Sequence, residues 1–242
     1  MFFSKSRSLI LGLALAAATY AAPAAAATCG NNAAGFSAWL ESFKKEAAAA
    51  GISQKVIDSA LNGLTYDAKV IKLDRGQHSF KLSFEQFYAR RVNNAMISKG
   101  KQLLKTHAKT FAAIEKRYGV PGAVIVAIWG LETGFGANSG NMSSIRSLAT
   151  LAYDCRRSAF FTNELMSALR IVQRGDMTPA QMRGAWAGEL GQTQFLASSY
   201  VKFGVDFDGN GRVDLIRSVP DVLGSTANYL KSYGWGPGGW DA

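Results

Sequence analysis

A mainly α-helical fold with few short strands is predicted by three observations. Apolar residues recur at helical spacing along most of the chain, Gly and Pro fall where those segments stop and start, and period-two alternation is scarce. The first 27 residues stand apart. Lys5 and Arg7 precede an apolar run from Leu9 to Ala18 that is too short to span a bilayer, and Ala21 to Ala27 offers small-x-small cleavage sites. This predicts a secretory signal peptide over 1–27, cut near Ala27, and an exported, soluble mature chain over 28–242. Thr28 before Cys29, without the usual upstream Leu, argues against a lipid anchor, and no later stretch is long enough for a transmembrane helix.

The elements follow in order. Phe36, Trp39, Leu40 and Phe43 mark a first helix stopped by Gly51, and Val56, Ile57, Ala60, Leu61 and Leu64 a second ending around Gly63. The segment from Tyr66 to Asn94 is less regular and reads as an extended connection leading into helix. Leu103, Leu104, His107, Phe111, Ile114 and Tyr118 mark one helix that stops at Gly119. Pro121 then opens another, since a first turn tolerates proline. Further helices are expected at 143–154 and 158–174. Thr178-Pro179-Ala180-Gln181 has the capping-box pattern of one more, and a last helix runs from about Pro220 to Tyr233. No internal repeat or low-complexity linker follows the leader, so the mature chain is long enough for one well-buried core.

Composition narrows the partners. The formal net charge is +10, and losing Lys5 and Arg7 with the leader leaves the chain strongly basic. That suits an anionic polymer or membrane surface. The charges are scattered and accompany no nucleic-acid-binding motif, which argues against nucleic acid. Two cysteines, Cys29 and Cys155, read most simply as one disulfide in an oxidising compartment, the alternative being two buried free thiols. No others remain to build a metal site.

Chemistry concentrates in three places. Glu132 sits in the apolar stretch from Ile125 to Gly136, and no other charge lies between Arg117 and Arg146. Burying an ionised carboxylate beside Trp129 and Phe135 is costly, so its pKa is expected to rise. A carboxylic acid still protonated near neutral pH can protonate a leaving glycosidic oxygen. The alternative is a structural Glu that caps a turn or pairs with a distant Arg. The second place is Asp206-Phe207-Asp208-Gly209-Asn210-Gly211-Arg212-Val213-Asp214, which opens like an EF-hand calcium loop. Arg217 occupies the position of the closing Glu, so Asp221 is the expected closing carboxylate; the alternative is an Asx-rich turn without metal. The third is Trp186 to Tyr200, whose small residues, Gln192, Gln194, Ser198 and Ser199 suit the wall of a saccharide cleft. His78 and His107 are isolated and read as surface or helix-face residues. No His accompanies the serines in a triad pattern.

The residues from Tyr118 to Trp235 resemble the catalytic domain of the lytic murein transglycosylase B family. The resemblance rests on Tyr118-Gly119-Val120-Pro121, Gly130-Leu131-Glu132-Thr133-x-Phe135-Gly136, Leu148-Ala149-Thr150-Leu151, Arg156-Arg157, Ala187-Gly188-x-x-Gly191-x-x-Gln194-Phe195, Ser198-Ser199-Tyr200, the Asp206 loop and Ala227-Asn228-Tyr229. It implies a lysozyme-like, goose-type helical core with Glu132 as the only catalytic carboxylate, so a two-carboxylate pair is not demanded. Glu132 would act as acid and then base while the C6 hydroxyl of N-acetylmuramic acid closes a 1,6-anhydro ring. It further implies that Gln194 and Tyr229 meet the sugar and that Arg156 and Arg157 engage the glycan or its peptide carboxylates. Asp206, Asp208, Asn210, Arg212 (through its carbonyl) and Asp221 would hold a structural calcium or sodium ion, with no cofactor required for the chemistry. Glu189 reads as a supporting or structural residue.

The chain departs from the family pattern at Ala185, where a Ser is usual, at Leu196-Ala197, where Met-Pro is usual, and in a metal loop one residue longer before Asp221. It is expected to lack the family's C-terminal segment and a separate murein-binding module. The resulting expectation is a periplasmic, monomeric lytic transglycosylase acting on peptidoglycan strands. A hydrolytic muramidase and a non-catalytic murein- or calcium-binding protein are the rival readings.

Overall fold

The structure is a computed structural model that describes residues 28–77 and 82–239. The leader expected over 1–27, His78 and the terminal Trp240-Asp241-Ala242 lie outside the described residues. Eleven α-helices and one two-stranded antiparallel sheet are present among the described residues, β1 (Met142–Ser143) pairing with β2 (Arg183–Gly184). The mainly helical expectation therefore holds. No described helix is long and apolar enough to cross a membrane.

Helix α1 (Phe36–Ala49) buries Phe36, Trp39, Leu40, Phe43 and Ala47 along one stripe. Helix α2 (Gln54–Leu61) buries Val56, Ile57, Ala60 and Leu61. Both pack against a central pair, α8 (Ser144–Tyr153) and α9 (Ser158–Arg174). Helix α8 is buried almost all round its circumference, the pattern of a core helix. At its end, Cys155 is joined to Cys29, and the incoming strand bonds through Gly30 N–H to the Tyr153 carbonyl at 2.9 Å. A side chain at Gly30 would collide with Tyr153, its Cβ meeting the hydroxyl at 2.0 Å. The disulfide expected from the cysteine count is thus present.

Three local expectations are corrected. The segment after Tyr66 is not an extended connection: it holds α3 (Ala68–Arg75) and α4 (Phe84–Arg91). Asp67 caps α3 by accepting from the Lys69 amide, and Ser83 with Gln86 forms a full capping box on α4. The single helix expected before Gly119 is broken at His107 into α5 (Asn94–Thr106) and α6 (Ala108–Tyr118). The break lets α5 lie on α7 (Gly122–Thr133) while α6 packs on both α7 and α11 (Val219–Ser232). The Thr178 capping pattern closes one turn and no helix: Gln181 Oε1 accepts from the Thr178 amide at 2.9 Å, and the chain then enters β2. The remaining short helix is α10 (Ala197–Phe203).

Asp74 fastens α3 to the core. It is only 3% exposed and receives Arg156 Nε at 2.9 Å and Arg157 Nη2 at 2.5 Å, while its neighbour in space, Asp154, accepts from Arg75 at 2.5 Å. Only the acid is buried; its arginines are about half exposed, so removing it deletes charge-assisted hydrogen bonds and leaves the guanidiniums to water. Asp74→Ala is therefore expected to cost about 2 kcal/mol of stability, read by urea unfolding of the oxidised protein. A midpoint equal to the wild type would remove this role.

Candidate active site and cation loop

The site is organised by the end of α7. Its last turn carries Glu132 and Thr133 and stops on Gly134 in the left-handed conformation. Phe135 follows, also left-handed at φ 64°, an uncommon and strained state for a large side chain. Its ring turns back over Gly130, where an added Cβ would meet ring carbon at 2.9 Å, and meets Trp129 edge-on at 5.6 Å. Gly130 is the reason this fold-back fits.

The opposite wall is residues 184–195. Gln192 ties it to α7 and to the chain before α11. Its Oε1 accepts from Trp129 Nε1 at 2.8 Å, its carbonyl accepts from Thr133 Oγ1 at 2.6 Å, and its Nε2 donates to the Ile216 carbonyl at 2.9 Å. Reciprocal bonds between Leu190 and Phe195 at 2.8 and 2.9 Å close the turn. Within it Gln194 adopts φ 51°, and its amide nitrogen donates to the Gly191 and Ser139 carbonyls at 2.9 and 3.3 Å. Among the polar residues expected here, Gln194 and Ser199 line the cleft. Gln192 is committed to scaffolding, and Ser198 is held by the buried Glu164, its Oγ donating at 2.6 Å.

Between the walls lies a cleft of about 480 Å³ lined by Glu132, Ile128, Thr193, Gln194, Phe195 and Tyr229, among others. Tyr229 stacks into an aromatic group with Phe195, Phe203 and Tyr233, ring centroids 5.6, 5.2 and 4.7 Å away. The expectation that Glu132 is buried is corrected: it is exposed on the cleft rim, because it lies in the final helical turn. Its surroundings still strip enough water to raise its pKa, against the opposing pull of the Arg91 guanidinium. Arg91 is anchored by a 2.7 Å bond to the Leu131 carbonyl. It went unpredicted, since α4 is far from Glu132 in sequence. Arg156 and Arg157 are about half exposed and held by Asp74, so an ion pair fixes where both guanidiniums stand.

The cation loop packs behind the cleft wall. Asp206, Asp208 and Asp221 each offer an oxygen, all three within 4.8 Å of one another. Asp221, in the first turn of α11, is fully buried and accepts backbone N–H groups from Phe207, Asp208 and Asp214 at 2.8, 3.2 and 2.9 Å. Burial raises its pKa despite those bonds. Asn210 Oδ1 lies within the same loop, accepting from the Arg212 amide at 3.2 Å. Asp214 instead caps the turn that follows, accepting from the Ile216 and Arg217 amides. Three convergent carboxylates are a donor set that fits a hard cation such as calcium.

The site is thus a rim carboxyl on a helical domain, facing an amide- and aromatic-lined cleft. The sequence profile of the Transglycosylase SLT domain matches residues 35–241. The chain belongs to that family, whose solved structural neighbours are lytic transglycosylases with the lysozyme-like fold. It is 40% identical over 119 residues to membrane-bound lytic murein transglycosylase B of Escherichia coli (strain K12), a match covering 49% of this chain and 33% of that protein. SltB3 of Pseudomonas aeruginosa, solved in complex with NAG-anhNAM-pentapeptide, is 40% identical with a TM-score of 0.79, covering 83% of this chain and 53% of that one. The Escherichia coli lytic transglycosylase SLT35, solved in complex with calcium, is 26% identical with a TM-score of 0.74, covering 88% and 68%. The chain thus spans a third to about half of the first relatives it matches.

Glu132's raised pKa has a consequence for stability. The folded state holds its proton more tightly than the unfolded state, so its contribution declines as pH rises above the ordinary glutamate value. Glu132→Gln is expected to melt above the wild type at pH 7, with the gap closing by about pH 4. Thermal melts across that range check it, and a gap that does not depend on pH would contradict it.

Proposed function

We propose that this chain is a peptidoglycan lytic transglycosylase that cleaves the β-1,4 bond between N-acetylmuramic acid and N-acetylglucosamine. The observation that carries the reading is Glu132, a carboxyl whose pKa is raised by loss of water, on the rim of an amide- and aromatic-lined cleft in a transglycosylase-family domain. Protonated Glu132 gives its proton to the glycosidic oxygen as the C1–O bond breaks. The muramic acid's own 2-acetamido oxygen bonds to C1 and carries the developing charge. The Glu132 carboxylate then takes the proton of the C6 hydroxyl. O6 attacks C1, the acetamido oxygen leaves, and a 1,6-anhydro ring closes with Glu132 protonated again. Gln194 and Tyr229 contact the sugars at the scissile bond, and Arg156 and Arg157 meet the glycan or its stem-peptide carboxylates. The chain is exported by its N-terminal leader and works in the periplasm.

The fit of Asp206, Asp208 and Asp221 supports a structural calcium ion, completed by the Asn210 side chain and the Arg212 carbonyl. The ion's contribution is to neutralise three close carboxylates. It takes no part in bond cleavage.

Digestion of purified sacculi tests the reaction. Wild-type protein is expected to release muropeptides one water lighter than hydrolytic products, and Glu132→Gln to release at least about a hundredfold less, the scale of general acid–base catalysis. Hydrated reducing ends would make the protein a muramidase, and no product from folded wild type would make it a binding protein. For the ion, calcium is expected to raise the melting temperature and a chelator to reverse it, with Asp206→Ala insensitive to both. Identical wild-type melting curves with calcium and with chelator would dismiss the site.

A further inference from the structure

Helix α7 has a second open face, away from the cleft. Its Ala123, Val126, Ala127 and Gly130 form one wall of an apolar groove of about 520 Å³. Phe87 and Tyr88 of α4, with Met96, Ile97 and Leu104 of α5, form the rest, and the folded-back Phe135 lines it too. The helices around it are not packed as core helices are: α4 buries no residue and α5 only Gly100. Eight large apolar side chains stand exposed among the described residues. Four of them, Phe84, Phe87, Tyr88 and Ile97, line this groove, and Phe84 is 75% exposed. Single exposed apolar residues are ordinary, whereas a contiguous set around a concavity marks a binding face.

Positive charge surrounds this face. From Leu82 to Lys109 the chain carries six cations, Arg90, Arg91, Lys99, Lys101, Lys105 and Lys109, against one acid, Glu85. All six are exposed, and none forms an ion pair among the described residues. Three are fixed at the groove itself. Lys101 lines it, Lys99 Nζ stands 5.3 Å from the centre of the Phe135 ring, and the Arg91 guanidinium 5.8 Å from that of Phe87. An occupant must therefore bring apolar surface and negative charge together. A second copy of the chain brings the same cations, and a net charge of +10 on each opposes that pairing. A bilayer of anionic phospholipid supplies both, acyl chains for the groove and phosphates for its rim. Aromatic side chains standing out beside lysine and arginine are the pattern of a surface that enters the headgroup layer.

We infer that α4 and α5 form a membrane-docking face: Phe84, Phe87 and Tyr88 enter the headgroup layer of an anionic bilayer, the groove takes acyl chain, and the cationic rim meets lipid phosphate. Docking there leaves the cleft uncovered. Groove and cleft occupy different faces of α7, with Ala127 and Gly130 turned to one and Ile128 and Glu132 to the other. A docked molecule thus keeps Glu132 open to a glycan strand. That orientation serves the proposed transglycosylase, but the docking does not depend on it.

The test is co-sedimentation of the chain from Thr28 onward, which holds every described element and omits the apolar leader, with two kinds of vesicle. Binding is expected to phosphatidylglycerol–phosphatidylcholine vesicles and not to phosphatidylcholine alone, and it should weaken as salt rises. The double variant Phe84→Ser/Tyr88→Ser is expected to melt like the wild type and to bind at least about tenfold more weakly. Lys99→Gln/Lys101→Gln should lose about tenfold as well. In Phe84→Trp, brominated acyl chains should quench more fluorescence than in the wild type. Failure of the folded wild type to bind anionic vesicles overturns the docking face and assigns the groove to a protein partner. Equal binding to both vesicles overturns it too. So does unchanged binding by folded Phe84→Ser/Tyr88→Ser, because the basic surface at large would then account for adsorption. Muropeptide release is read in a separate assay, so a failed reaction and a failed dock are told apart.

Discussion

The arrangement of the cleft depends on one side chain, Gln192, which joins three separate pieces of chain. It accepts from the Trp129 indole, accepts through its carbonyl from the Thr133 hydroxyl, and donates to Ile216 just before α11. Trp129 is almost wholly buried, so its indole N–H needs a partner, and Gln192 is that partner. Because Trp129 and Thr133 are four residues apart on one helical face, these bonds fix both the height and the rotation of the turn relative to Glu132. Everything facing Glu132 from residues 189–195 inherits its position from them. The bonds that join the walls lie beneath the cleft, which leaves its surface free for a ligand.

Helix α11 couples the cation loop to the cleft. Its first turn holds Asp221, the collecting point for the backbone of the 206–214 loop, and two turns later it carries Tyr229 into the cleft wall. Thr226, on the same helix, bonds to Thr193 at 3.1 Å. A change in how the carboxylates are neutralised at one end of this helix therefore acts on the wall through a rigid element. The loop is placed to brace the cleft wall from the far end of this helix.

Much of this was legible from residue order. The stripes at Phe36 to Phe43 and at 158–174, the opening at Pro121, the pairing of Cys29 with Cys155 and the candidacy of Glu132 all follow from local pattern or count. What escaped the sequence was set by tertiary partners. Helix α3 is polar enough to pass for a connection, because beside Val70 and Ile71 its third inward residue is Asp74, and an acid is a core residue only once two arginines more than eighty positions away close on it. His107 interrupts what reads as one helix because α5 and α6 serve different neighbours. The Thr178 pattern ends in a turn because the residues that follow form β2 and pair with β1. Arg91 entered the site by approach in space, which periodicity cannot report.

The Cys29–Cys155 bond also divides the molecule in a way its compact packing conceals. It closes a covalent ring across 126 positions, and that ring contains Glu132, Arg91 and all of α1 to α8. Gln194, Tyr229, Glu189 and the cation loop lie on the open tail that leaves the ring after Cys155. The cleft is thus a contact between a closed loop of chain and the chain that follows it. A single peptide cut anywhere between the two cysteines leaves one covalent molecule with both walls attached. A single cut in the tail frees one wall from the other, held thereafter only by packing and by bonds such as those of Gln192.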